Sequence, residues 1–180
     1  NVYDPRSESI QYFYIPSASG DVTQNSIRAI IEVDKNVLLI GTDQGLYTFN
    51  KINHQFDSVI LLNRKSKTGS KSIYSFLRLS EHAILVGGVN AMYVYDQNNT
   101  TLNQVNFSKP IQAGIHCFAK GDSNHIWAGT GNGLYVIQPE MENLNFEIIK
   151  HFQPNPNLEN SISSLYVSDI LLTSDSKLLI

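Results

Sequence analysis

Ile126-Trp127-Ala128-Gly129-Thr130-Gly131-Asn132-Gly133-Leu134-Tyr135-Val136-Ile137 is two apolar runs joined by a glycine-rich turn. Asn-Gly between β-prone runs is the strongest short hairpin signal, because both central positions of the tight turn favour positive φ. The same arrangement occurs twice upstream. Leu38-Leu39-Ile40-Gly41-Thr42-Asp43-Gln44-Gly45-Leu46-Tyr47-Thr48-Phe49 comes first, and Ile84-Leu85-Val86-Gly87-Gly88-Val89-Asn90-Ala91-Met92-Tyr93-Val94-Tyr95 second. Gly41, Gly87 and Gly129 fix the register, separated by 46 and 42 residues, and Leu46, Met92 and Leu134 keep those separations.

Each copy has a matching lead-in. Ser26-Ile27-Arg28-Ala29-Ile30, Ser72-Ile73-Tyr74-Ser75-Phe76 and Gly114-Ile115-His116-Cys117-Phe118 stand at the same offset from the hairpin or within a few residues of it. A fourth copy opens near Val167-Ser168-Asp169-Ile170-Leu171 and runs to Leu178-Leu179-Ile180. Asn1-Val2-Tyr3-Asp4 matches the part after the hairpin glycine. The chain therefore reads as half a repeat, three whole repeats and the first half of another.

Four strands per repeat are expected. In the first repeat, strand A covers Ile27 to Val33, strand B Val37 to Gly41 and strand C Leu46 to Asn50. Strand D lies around Gln55 to Leu61. Asp34-Lys35-Asn36 is a turn cluster, and so are Asn50-Lys51-Ile52-Asn53 and Asp96-Gln97-Asn98-Asn99. Asp122-Ser123-Asn124 reads as another A–B turn. It lacks the later acidic residue of a calcium loop. Strand B is apolar throughout, as a strand buried on both faces would be. Strand D is more polar, as an outer edge strand would be. Units of this length and content predict an all-β fold, a fragment of a β-propeller with four-stranded antiparallel blades. The expected divisions are 1–20 (half blade), 21–66, 67–110, 111–157 (blades) and 158–180 (half blade). A β-sandwich is the runner-up, but sandwiches have no fixed period.

The stretches Leu39-Ile40-Gly41-Thr42-Asp43-Gln44-Gly45-Leu46 and Ile126 to Leu134 resemble the Leu-Trp-Ile-Gly-Thr-x-x-Gly-Leu core of the two-component regulator propeller repeat. Asn160-Ser161-Ile162-Ser163-Ser164-Leu165-Tyr166-Val167-Ser168-Asp169-Ile170 resembles the lead-in of such a repeat. The second repeat departs, with Gly88 for Thr, Ala91 for Gly and Met92 for Leu, which puts its hairpin geometry in question. The resemblance implies an extracytoplasmic sensor propeller, usually of seven blades, on the periplasmic side of the inner membrane. It implies a membrane-anchored hybrid histidine kinase as the parent, an oligosaccharide or other small-molecule ligand, and a homodimer. Seven blades at this period need about 300 residues, so this chain alone does not close such a ring. No signal peptide opens the chain, and its abrupt start leaves room for one in a longer parent.

Charge and composition narrow the partners. Of 180 residues, 13 are basic and 16 acidic, a net charge of −3. Arg64, Lys65 and Lys67 form only a short basic loop, which is too little field for a nucleic-acid surface. Cys117 is the single cysteine, so neither an internal disulfide nor a cysteine-rich metal site is expected. Its apolar setting predicts a buried structural thiol. Five histidines, His54, His82, His116, His125 and His151, show no metal spacing. Gly129-Thr130-Gly131-Asn132-Gly133 lacks the Lys-Ser/Thr of a phosphate loop. No catalytic residue, metal or cofactor is assigned. Asp43 with Asp57, and Glu140 with Glu142, are carboxylate pairs without any evidence of glycosidase spacing. No Gly-x-Ser-x-Gly elbow occurs.

Comparing repeats exposes one variable column. After the isoleucine that opens strand A stand Arg28, Tyr74 and His116, with Ser168 in the fourth copy. Strand A lines the channel of a propeller, and aromatic faces with fixed donors suit sugars. Arg28, Tyr74 and His116 are therefore the candidate ligand residues, with channel filling as the plainer alternative. Asn25, Lys71 and Gln112 in the lead-ins are weaker candidates. Beside the sensor, a propeller lyase or hydrolase and a protein-docking scaffold are the other function classes.

Overall fold

A computed structural model describes residues 2–15, 26–59, 61–62 and 71–180, with Leu61, Leu62 and Ser123 described by backbone alone. Within each blade the four strands lie side by side in sequence order. β1 (Val2–Asp4) and β2 (Ser9–Gln11) form the first half blade. The first whole blade is β3 (Ile27–Asp34), β4 (Val37–Thr42), β5 (Gly45–Asn50) and β6 (Phe56–Ser58), each antiparallel to the next. After β7 (Leu61–Leu62), the second blade is β8 (Ile73–Arg78), β9 (Ala83–Gly88), β10 (Met92–Asp96) and β11 (Thr101–Gln104). After β12 (Asn106–Phe107), the third is β13 (Ile115–Lys120), β14 (Ile126–Thr130), β15 (Gly133–Glu140) and β16 (Asn145–Phe152). β17 (Leu171–Leu172) and β18 (Leu178–Leu179) pair in the last half blade. The expected β-propeller architecture is present, with four antiparallel strands in each whole blade. The expected divisions at 20/21 and 66/67, the basic loop Arg64 to Lys67 and Asn25 lie outside the described residues.

Strand D of the first blade is shorter than expected. Its ladder with β5 covers only Phe56 to Ser58. The chain then leaves the blade, and Leu61 and Leu62 pair in parallel with Leu102 and Asn103 of β11. The next linker does the same, with Asn106 and Phe107 pairing with Asn145 and Phe146 of β16. Each linker must travel from the outer rim of one blade to the inner strand of the next. On the way its backbone groups are satisfied by the open edge of the following blade.

The hairpins explain the Gly-Thr-x-x-Gly spacing. Thr42 Oγ1 donates to the Gly45 carbonyl (3.0 Å) and accepts from Gln44 N–H (3.0 Å). Thr130 repeats this with Gly133 (2.9 Å) and Asn132 (2.9 Å). Gly45 and Gly133 take φ of +138° and +99°, where a side chain would be strained. The second blade has no threonine there and turns differently. Asn90 adopts φ +54°, and Gly88 N–H bonds the Ala91 carbonyl (3.0 Å). Asp122–Asn124 closes as a single 3-10 turn, with Gly121 N–H bonded to the His125 carbonyl (2.8 Å). Among the described residues no helix is long and apolar enough to cross a membrane.

The cores lie between blades. Leu39 and Leu46 of the first blade meet Ile73, Ile84, Val86, Tyr95 and Leu102 of the second. Leu85, Met92 and Val94 point the other way and meet Ile115, Ile126, Ala128 and Tyr135 of the third. Ile84, Leu85 and Val86 therefore alternate between two cores and are all fully buried. That is why the middle of strand B is apolar.

Candidate ligand site at the inner rim

β3, β8 and β13 lie side by side along one edge of the blade array. Each carries an irregularity at its start. Ile27 pairs with Thr42 and Ala29 with Gly41, leaving Arg28 as an extra residue. Tyr74 is left over between Ile73 and Ser75, and His116 between Ile115 and Cys117. The three candidates are thus β-bulge residues at one repeated position. A bulge releases a residue from the ladder and re-aims its side chain, so the substitutions in this column leave the sheet unchanged.

The structure brings Tyr74 and His116 together, with ring centroids 5.1 Å apart. His116 also packs on Tyr166 at 4.6 Å. Tyr74, His116 and Tyr166 therefore form one aromatic row across three successive blade positions. Gly114 sits beneath it, since a Cβ there would meet Tyr74 and His116 at 3.0 and 3.1 Å. Burial lowers the pKa of His116, so the imidazole is neutral at pH 7. Tyr166 is 59% exposed, which leaves an aromatic face open to solvent.

Arg28 stands at the first-blade end of this row. Its Nε and Nη2 each donate to Asp43 at 2.8 Å, a two-pronged pair. The Arg28 hydrogen bonds hold the Asp43 carboxyl below its usual range. Tyr74 and Tyr166 lie near enough to act on the guanidinium. Half of the Arg28 side chain stays exposed. The rim thus offers a fixed Arg–Asp fork, two phenol groups and a neutral imidazole.

Sequence reasoning missed Asp43 in this role and Tyr166 altogether. Tyr166 falls in the column of Ser26, Ser72 and Gly114, two positions before the bulge column, where the other repeats are small. Ser168, the fourth member of the bulge column, is exposed. Gln112 is exposed, and Lys71 lies away from the aromatic row, in a cleft between blades.

The other constellations are dispersed. Asp43 is engaged with Arg28, while Asp57 lies opposite Thr48 on the outer strand. Glu140 and Glu142 flank a peripheral C–D turn, where Glu140 accepts from Asn143 Nδ2 at 3.2 Å. Among the described residues no three His, Cys, Asp or Glu side chains gather as a metal site. Cys117 is buried, as expected, and its thiol pKa is pushed up to about 12 by desolvation.

No protein-family model matches the chain, and no curated protein matches it in sequence. Solved structures do. The chain is similar to the extracellular domain of BT4673, a hybrid two component system protein of B. thetaiotaomicron, with a TM-score of 0.69 and 19% identity over 84% of this chain and 20% of that one. The extracellular domain of the hybrid two-component system protein BT3049, from the same organism, matches 98% of the chain at 16% identity and a TM-score of 0.54. A streptogramin B lyase matches 87% of this chain and 48% of its own, at 14% identity and a TM-score of 0.59. This chain spans only 20–22% of the length of the BT4673 structures it matches. At these identities the likeness establishes the propeller fold.

Proposed function

We propose that this chain is part of an extracytoplasmic sensor propeller of a hybrid two-component system and contributes to binding an oligosaccharide. The observation that carries the proposal is the aromatic row of Tyr74, His116 and Tyr166 beside the Arg28–Asp43 fork. Sugar rings present apolar C–H faces that stack on aromatic rings, and hydroxyl pairs that match a fixed donor–acceptor fork. The similarity to sensor extracellular domains supports the signalling context. A membrane-anchored parent, a periplasmic position and a dimer belong to the same proposal.

The test is thermal melting of the intact extracellular region with a panel of oligosaccharides. A ligand that binds only the folded state raises Tm. The expected result is a rise with one sugar class that is lost in Tyr74→Ala and His116→Ala. A panel without any shift, or a shift indifferent to both substitutions, overturns the assignment.

A second class, a propeller lyase, is favoured by one feature. His116 is a neutral imidazole between two phenols, an arrangement that can accept a proton. Product formation from the same oligosaccharides, abolished in His116→Ala, would decide for it.

A further inference from the structure

The glycine-rich turn of the third blade lies beside the aromatic row. Gly131 holds the place that Asp43 has in the first blade. Asp43 N–H bonds the Ser26 carbonyl (3.3 Å), and Gly131 N–H bonds the Gly114 carbonyl (3.2 Å). In the first blade this turn residue covers the bulge residue, because Asp43 accepts from Arg28 Nε and Nη2. In the third blade it does not. Gly131 is exposed, and the one described atom within 4 Å of a Cβ built there is His116 Nε2, at 3.7 Å. Bare backbone therefore forms an open step outward from His116. Gly133 N–H bonds the Leu165 carbonyl (2.6 Å), so the same turn also adjoins Tyr166.

Beyond that step stands a second set of polar groups. The three whole blades share a tyrosine after the hairpin, Tyr47, Tyr93 and Tyr135. Its partner on strand D changes from Ser58 to Gln104 to His151. His151 stacks on Tyr135, with centroids 3.9 Å apart and rings 12° from parallel. Its Nε2 donates to the Asn132 carbonyl (2.7 Å), since a carbonyl oxygen can only accept. Gln153 Nε2 donates to Asn132 Oδ1 (2.8 Å). His151 and Gln153 are exposed, yet both side chains are held in place. His151 Nδ1 and Gln153 Oε1 are the polar atoms that these contacts leave over. Groups fixed in advance bind with less ordering cost.

We propose that the sugar site continues from the aromatic row across Gly131 onto the third blade, where His151 and Gln153 take the hydroxyls of the next unit of a linear oligosaccharide. The ligand class is thus a chain that runs outward from the inner rim, and not a single terminal sugar. This rests on the reading that Tyr74, His116 and Tyr166 bind sugar.

The test is calorimetric titration of the intact extracellular region with gluco-, manno-, xylo- and galacto-oligosaccharides, each as a series from two to six units. In the series that binds, the longer chains should exceed the disaccharide in affinity by about tenfold. Gln153→Ala and His151→Ala should each remove that gain and leave disaccharide binding unchanged. Gly131→Asp, which copies the first blade, should remove it by obstructing the step. Tm without sugar separates these effects from a loss of folding, and if His151→Ala does not fold, Gln153→Ala and Gly131→Asp decide. Disaccharide binding that needs Tyr74 and His116 but shows no gain with length overturns this inference alone. So does a gain that survives Gln153→Ala and Gly131→Asp. Absence of binding in every series overturns both this inference and the reading of the row.

Discussion

Gly87 lies directly against the Ile115 carbonyl oxygen of the following blade, and a Cβ built on it would come within 2.9 Å of that oxygen. Gly41 has the same relationship to the Ile73 carbonyl (3.0 Å), and Gly129 to that of Val167 (3.0 Å). The glycine that marks the repeat is therefore an inter-blade contact, where one sheet needs a bare backbone to approach the next.

Gly87→Ala should lower stability by about 1–3 kcal/mol, since the new methyl would collide with the Ser75 hydroxyl, itself hydrogen-bonded to the Ile115 carbonyl, and with that backbone carbonyl 2.9 Å away. The check is urea unfolding of the intact protein, with Gly131→Ala as the control, because there the nearest atom to a new Cβ is His116 Nε2 at 3.7 Å. Equal midpoints for the two variants would contradict the close-approach account.

Acid should weaken the fold through His116. Burial depresses its pKa in the folded state, so the unfolded chain takes up the proton more readily. The stability tied to the neutral imidazole is complete above the unfolded value of about 6.5. It is lost progressively as pH falls from there towards the folded pKa. Melting at pH 7.5 and pH 5.5 should show a larger fall in Tm for the parent protein than for His116→Phe, which has no group to titrate. Equal falls would rule out His116 as a source of the acid sensitivity.

Cys117 should be inert while the protein is folded. A thiol pKa pushed up to about 12 leaves almost no thiolate at pH 8. Its Sγ also points at the Val167 carbonyl, 3.8 Å away, the place that Ser75 Oγ occupies against Ile115 at 2.8 Å in the previous blade. Iodoacetamide labelling at pH 8 should proceed only in urea above the unfolding midpoint. Cys117→Ser should fold, because serine already performs that contact one repeat earlier. Rapid labelling in native buffer would contradict this account.

Much of the fold was legible because strand B faces two cores at once. Ile84, Leu85 and Val86 can be nothing but apolar, and that constraint recurs in each blade. The linker strands Leu61–Leu62 and Asn106–Phe107 were not legible, since two residues carry no period. At the inner rim, Arg28, Tyr74 and His116 stood out as a varying column in a constant frame. That they are bulge residues left no mark in their side-chain types. Tyr166 was hidden because its column is otherwise serine or glycine, and it becomes visible only when His116 is seen to pack on it.

The parallel pairing of each linker with the blade ahead of it gives the array a direction. A blade contributes a strap to its successor and none to its predecessor. Loss of structure that starts at the later blades can proceed one unit at a time, leaving earlier straps in place. Loss that starts at the earlier blades strips a hydrogen-bonded edge from each next unit as it advances. Pulling from opposite ends should therefore reveal unequal resistance in an assembly whose units otherwise look alike.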